Sequence, residues 1–208
     1  MAVDNKIIFI IDDDYSIRRS LRLLLESAGY RIETYSSSEE FLEREVYIGI
    51  GCIILDIHLE GKNGLELQEE LLQNNYHLPI IFITGLGDIP MSVKAIKNGA
   101  VDFLQKPFDQ EQLLEVVKEA IAKCTIKKSE FDELNRIQTL MATLTEREAE
   151  VFQYVVSGML NKQIAYELNI AEQTVKLHRG KITEKLGVKS VAELVHMAKK
   201  AGIHPSEN

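Results

Sequence analysis

Cysteine is scarce. Cys52 and Cys124 are far apart and belong to no CxxC pair, which argues against a disulfide framework or a structural zinc site and leaves two small buried or half-buried thiols. Long apolar runs are missing: no stretch reaches the ~18–20 residues needed to cross a bilayer. The opening MAVDNK lacks the basic, apolar, then small-residue pattern of a secretion signal. The expectation is a soluble, cytoplasmic protein with no membrane partner. Positive charge is also short, with 24 Lys and Arg against 32 Asp and Glu, a net of −8. That balance argues against a generic nucleic-acid binder. The deficit is uneven, however. Residues 1–124 carry 12 basic and 21 acidic side chains, a net of −9. Residues 125–142 balance at zero, and residues 143–208 reach +1. A length of 208 residues allows two domains, and an acidic part joined to a near-neutral one points to two jobs.

In the first 124 residues, apolar runs of strand length alternate with helical spacing. Strands are predicted at Lys6–Ile11, Arg31–Tyr35, Gly51–Leu55, Pro79–Thr84 and Val101–Gln105. The runs IIFII, CIIL and IIFI are unbroken, as in strands covered on both faces. Between them, Ile17, Leu21, Leu24, Leu25 and Ala28 follow a 3.6-residue period closed by Gly29, and Val93–Ile96 is closed by Gly99. Strict β/α alternation predicts a doubly wound parallel sheet, an α/β fold of (βα)5 type. Its site should lie outside the carboxyl ends of the strands.

Four of the five strand ends carry polar or charged groups: Asp12–Asp13–Asp14, Asp56, Thr84 and Lys106. Adjacent carboxylates repel, so packing alone gives no reason for three aspartates in a row. Several carboxylates, a hydroxyl and an ammonium on one rim suit Mg²⁺ beside a phosphate. Asp12 and Asp13 are then metal ligands, and Asp14 caps the following helix.

The segments IIDDD, CIILDIHLEGKNGLEL, IIFITG and VDFLQKPF resemble the receiver domain of bacterial two-component response regulators, and TGLGDIPMSVKAIKNGAVDFLQKPF is similar to the FixJ branch. The resemblance implies a flavodoxin-like receiver in which Asp56 accepts a phosphoryl group from a sensor histidine kinase. It implies metal ligation by Asp12, Asp13, Asp56 and the His58 backbone carbonyl, with Mn²⁺ as a substitute for Mg²⁺. Lys106 and Thr84 would bind phosphoryl oxygens, and Phe103 matches the family's aromatic switch. The chain departs from the family's usual MPG after the acceptor, having Leu59-Glu60-Gly61 instead.

Residues 125–142, TIKKSEFDELNRIQTLMA, contain no Gly or Pro and carry apolar residues at helical spacing, which predicts a helical linker. In the tail, TERE is a capping box with Thr145 as cap and Glu148 three residues on. Helices are predicted from there to Gly158, over Asn161–Leu168, over Glu172–Leu186 and over Ser190–Ala201, an all-α arrangement of four helices. Helix, short turn, helix is helix-turn-helix geometry. The third helix has Val175, Ile182 and Leu186 as inward candidates and a run of basic residues. Residues 144–203 resemble the LuxR/FixJ-type DNA-binding domain, which implies that this helix enters the major groove. Lys176, Arg179 and Lys181 are the expected base or phosphate contacts, and Lys162, Thr174, His178 and Lys185 the expected positioning contacts to the backbone.

The domains expected are a receiver at 1–124, a helical linker at 125–142 and a helix-turn-helix domain at 143–208. The function expected is phosphorylation-controlled transcription, with promoter DNA and RNA polymerase as partners. It includes homodimerisation through Met91–Asn98 and Val101–Gln105, release of the DNA-binding domain, or both, and activation by analogy with the FixJ branch. The expected chemistry is self-catalysed aspartyl phosphorylation and dephosphorylation, with no enzymatic turnover of a separate substrate. A rival of another class is a Mg²⁺-dependent haloacid-dehalogenase-like phosphatase with Asp12 as nucleophile and Asp14 as acid/base. It leaves Asp56 and the tail unexplained and lacks the acidic pair that usually follows the lysine. An adaptor with a dead receiver is the third reading, disfavoured because every expected site residue is present.

Overall fold

The computed structural model describes residues 6–85 and 89–203. Two compact units divide the chain, Met1–Lys128 and Ser129–Asn208. No helix among the described residues is long and apolar enough to cross a membrane.

The first unit contains β1 (Ile7–Ile11), α1 (Tyr15–Ser27), β2 (Arg31–Tyr35), α2 (Ser38–Leu42), β3 (Gly51–Asp56), α3 (Gly64–Gln73), β4 (Ile80–Thr84), α4 (Ile89–Lys97), β5 (Asp102–Gln105) and the start of α5 (Gln110–Met141). All strands are parallel, in the order β2-β1-β3-β4-β5. Every residue of β1, β3 and β4 is buried, which is why their sequences do not alternate. Their side chains still alternate in space. Phe9, Leu55 and Phe82 join a core with Leu67 and Leu71 of α3, while Ile8, Ile10, Ile54 and Ile83 join a second core with Leu25 of α1 and Val117 of α5. Each fully buried side chain of this size stabilises the fold by ~1.5–3 kcal/mol.

The order 2-1-3 makes β1 and β3 neighbours with Ile11 opposite Leu55, so the loops that follow both strands meet at one switch point. Gly64, the first residue of α3, is pressed against that point. A Cβ there would lie 2.2 Å from the Asp56 carbonyl oxygen, so only glycine lets α3 start beside the end of β3.

Helix α5 is continuous for 32 residues and crosses the boundary between the units. Its first turns bury Leu113, Val116, Val117, Ala120 and Ile121 in the second core. Within the second unit, Leu140 and Met141 of the same helix pack on the helical core, and Lys200 donates to Glu133 at 2.6 Å. The linker segment therefore packs along its last turn instead of running free.

The second unit adds α6 (Glu146–Val156), α7 (Asn161–Glu167), α8 (Glu172–Leu186) and α9 (Val191–Lys200). Val151, Phe152 and Val155 of α6 meet Ile164 of α7, Val175, Ile182 and Leu186 of α8, and Leu194 and Ala198 of α9. The three inward positions expected on α8 are all at most 1% exposed. Asn169, at φ 50°, makes the turn between α7 and α8, a conformation that asparagine tolerates better than most residues. The expected capping box forms: Thr145 Oγ1 accepts from the Glu148 amide at 3.3 Å, and Glu148 Oε2 accepts from the Thr145 amide at 2.9 Å.

Two outcomes are expected from this packing. Gly64→Ala lowers the urea midpoint by an amount equivalent to ~1–3 kcal/mol, the range for forcing extra atoms into a packed site; an unchanged midpoint would refute the close approach. Glu148 is held down to about 2, first by the hydrogen bond from Lys185 and then by that from the Thr145 amide. A carboxyl depressed on folding stabilises fully above its unfolded value, ~4.3, and loses that contribution as pH falls. The thermal-midpoint gap between wild type and Glu148→Gln should thus be constant from pH 7 to 5 and shrink from there towards pH 2. A gap that grows on acidification would contradict the pairing.

Candidate functional site

The rim of the sheet collects Asp12, Asp56, Thr84 and Lys106, although they come from four different strand ends. Asp12, the residue after β1, is fully buried, and Thr84, at the end of β4, is 0% exposed. Asp56 closes β3 and is nearly as buried. Lys106 follows β5, so its side chain must pass the end of β4 to reach the other two strands. Its ammonium donates to Asp12 Oδ2 at 2.8 Å and to Asp56 Oδ2 at 2.5 Å. The Lys106 amide donates to the Thr84 carbonyl at 2.7 Å, which ties these two residues through the backbone.

The remaining carboxylate oxygens are held by nearby amides. Asp12 Oδ1 accepts from the Asp14 amide at 2.8 Å, and Asp56 Oδ1 accepts from the His58 amide at 3.0 Å. His58 itself is exposed. Burial lifts the Asp12 carboxyl above the ordinary range, against the hydrogen bonds from Lys106 and the Asp14 amide that lower it. For Lys106, burial disfavours the charge, but the hydrogen bonds it donates to Asp12 and Asp56 outweigh it and raise the ammonium above the usual lysine value. Asp13 is exposed, and oxygens of Asp12, Asp13 and Asp56 all lie within 4.8 Å of one another. Three carboxylates against one ammonium leave an excess of two negative charges in an oxygen-only donor set. That pocket is compatible with a divalent metal.

Asp14 stands at the N-terminus of α1 as expected, accepting from the Ser16 amide at 2.7 Å and from the Ile17 amide at 3.3 Å. That role leaves it turned to its own helix, unlike the acid/base of the rival phosphatase reading. Phe103, on β5, is half-buried against the core that contains Phe82. Arg18 has no role assigned from sequence, yet its guanidinium donates to the Asp12 backbone carbonyl. Nothing in the spacing announces that contact, because it depends on where β1 meets α1.

On the helical unit, Lys176 and Lys181 of α8 and Lys162 of α7 are exposed, while Thr174, His178 and Arg179 are half-buried. Lys176 lies 3.7 Å from Glu172, one turn earlier on its own helix. Arg179 donates to Asn161 Oδ1 at 2.8 Å. Lys185, expected as a positioning contact to the DNA backbone, donates its ammonium to Glu148 Oε2 at 2.5 Å and to the Thr143 carbonyl at 3.0 Å.

Residues 8–118 match the response regulator receiver domain, and residues 142–198 match the luxR family of bacterial regulatory proteins. Nodulation protein W of Bradyrhizobium diazoefficiens is 42% identical over 97% of this chain and 89% of its own length. The solved structure of the response regulator StyR is 43% identical, with a TM-score of 0.88 over 94% of this chain and 99% of that one. Full-length FixJ from B. japonicum is 34% identical, with a TM-score of 0.59 over 95% and 98% of the two chains. On these matches the chain belongs to the FixJ/NarL family of response regulators, transcription factors that join a receiver domain to a LuxR-type DNA-binding domain.

Proposed function

We propose that Asp56 accepts a phosphoryl group from a sensor histidine kinase and that this modification controls binding of promoter DNA by α8. The observation that carries the reading is the convergence of Lys106 on both Asp56 and Asp12 at the switch point of the sheet. An Asp56 carboxylate oxygen attacks phosphorus, the P–N bond of the donor phosphohistidine breaks, and its electron pair stays on the imidazole. The attack brings anionic oxygens towards an anionic nucleophile. The Lys106 ammonium supplies the fixed positive charge that makes this tolerable, by leaving Asp56 for a phosphoryl oxygen. The Thr84 hydroxyl, one strand away from Asp56, donates to another.

Asp12, Asp13 and Asp56, with the His58 backbone carbonyl, are the residues that would hold Mg²⁺. When bound, the ion would offset the excess of two negative charges and polarise the transferring group. Once Thr84 turns to the phosphoryl oxygens, Phe103 rotates inwards against the core it already touches, and the surface of α4 and β5 changes shape. Met91, Val93 and Ile96 of α4 are 38%, 49% and 47% exposed, apolar surface suited to a second copy of the chain. The Ser92 side chain, within the expected dimer face, lies outside the described residues. Residues 1–124 then act as receiver, 125–142 as linker and 143–208 as the DNA-binding part, which recruits RNA polymerase and activates transcription. Lys176, Lys181 and Lys162 are the exposed cations available to DNA phosphates and bases.

Intact mass after incubation with Mg²⁺ and a small acyl-phosphate donor tests the chemistry. Wild type should gain a single phosphoryl group and Asp56→Asn none, while Lys106→Met should gain it ~10²–10³-fold more slowly, the range for losing one stabilising donor. Equal labelling of wild type and Asp56→Asn would sink the assignment. Steady donor hydrolysis that disappears in Asp12→Asn but survives in Asp56→Asn would point to the phosphatase reading. Separately, Mg²⁺ at about 100 times its dissociation constant should stabilise wild type by ~2.7 kcal/mol, seen as a rise in thermal midpoint. Asp13→Asn, a change at an exposed residue, should remove most of that rise while leaving the metal-free midpoint in place.

A further inference from the structure

We propose that Lys185 is a positioning residue of the recognition helix and makes no contact with DNA phosphate. The proposal rests on the reading of α8 as the helix that enters the groove. Lys185 lies on the last turn of α8 with its ammonium turned inwards. It donates to Glu148 Oε2 and to the Thr143 carbonyl, and the Glu148 side chain is 5% exposed. The same carboxylate oxygen accepts from the Thr145 amide. Thr143, Thr145 and Glu148 lie where α5 ends and α6 begins, so one buried oxygen fastens three things together: the junction, the first turn of α6 and the end of α8. A second polar tie, Arg179 to Asn161 at 2.8 Å, fastens the middle of α8 to the first residue of α7.

The ties do something that the core cannot. Val175, Ile182 and Leu186 hold α8 by apolar burial, which is non-directional and tolerates small sliding or rotation. A charge-assisted hydrogen bond fixes distance and angle. A buried carboxylate that loses its cation is strongly unfavourable, so the arrangement resists displacement. Reading base edges in a groove demands that the side chains of α8 arrive at set heights, whereas phosphate attraction alone does not. The pair should therefore matter to sequence discrimination more than to general affinity for DNA.

The experiment measures binding of the full-length protein to two probes over a series of salt concentrations. One is a duplex enriched from a random pool by the wild-type protein; the other is a duplex of scrambled sequence. Lys176→Gln, an exposed cation, is expected to weaken both and to lower the salt slope by about one. Lys185→Gln and Glu148→Gln are each expected to weaken the enriched duplex about tenfold. Both should leave the salt slope and the scrambled duplex unchanged, and together they should cost no more than either alone. Retained far-UV dichroism marks the folded variants. Should a single variant unfold, Glu148→Gln/Lys185→Met, which leaves no unpaired buried charge, carries the same comparison. A salt slope that falls by about one in Lys185→Gln would overturn the proposal, as would folded variants that bind the enriched duplex like wild type. If Lys176→Gln and Lys181→Gln change nothing, it is the assignment of α8 as the reading helix that fails.

Discussion

The Lys106 ammonium between Asp12 and Asp56 is the contact on which the first unit turns. Two buried carboxylates from neighbouring strands repel, and in low dielectric they cannot both stay ionised without a cation. The cation arrives from a strand at the edge of the sheet, past the end of β4 where Thr84 sits. Everything needed for that reach is architectural. The strand order brings β1 beside β3, β4 and β5 follow in turn, and α3 begins against the backbone of Asp56 because Gly64 has no Cβ. A site assembled from four strand ends inherits the rigidity of the sheet, and the proposed phosphoryl group would act on the charge balance at its centre.

That combination gives the family's logic a physical form. The pocket sets three carboxylates against one ammonium, which leaves an excess of two negative charges. The proposed phosphoryl group on Asp56 would redistribute the partners of Lys106 and Thr84, and these residues share a backbone hydrogen bond at the ends of β4 and β5. Phe103 lies three residues before Lys106, packed against the core that contains Phe82. In the proposed switch, a local rearrangement of charge would have a short route to the surface of α4, where Met91, Val93 and Ile96 are exposed.

Much of the fold was legible because burial writes itself into composition. The unbroken runs of β1, β3 and β4 marked strands covered on both faces. The glycines expected to end helices, Gly29, Gly99 and Gly158, all take positive φ. Thr145 and Glu148 form the capping box that their spacing announced, and Val175, Ile182 and Leu186 face inwards as their period required. Less legible was whatever a long side chain does after leaving the backbone. Lys185 shares its helix with Lys176 and Lys181, and only the placement of Glu148 on another helix turns it inwards. Arg18 reaches the Asp12 carbonyl, and Arg44 stacks over Phe9 at 4.3 Å while donating to the Tyr76 hydroxyl at 2.8 Å. These contacts are set by tertiary geometry, which periodicity does not encode. The short α2 is also faint in the sequence: Phe41 and Leu42 are its only apolar residues, and its Ser37 cap and acidic first turn complete it.

The central claim is that chemistry at Asp56 governs what α8 does with DNA. The direct measurement is the affinity of the full-length protein for a duplex enriched from a random pool, by fluorescence anisotropy at fixed salt, before and after treatment with acyl phosphate and Mg²⁺. Wild type should bind more tightly after treatment, and Asp56→Asn should bind equally before and after. A phosphorylated wild type whose affinity does not change, or an Asp56→Asn protein that tightens as wild type does, would contradict the account.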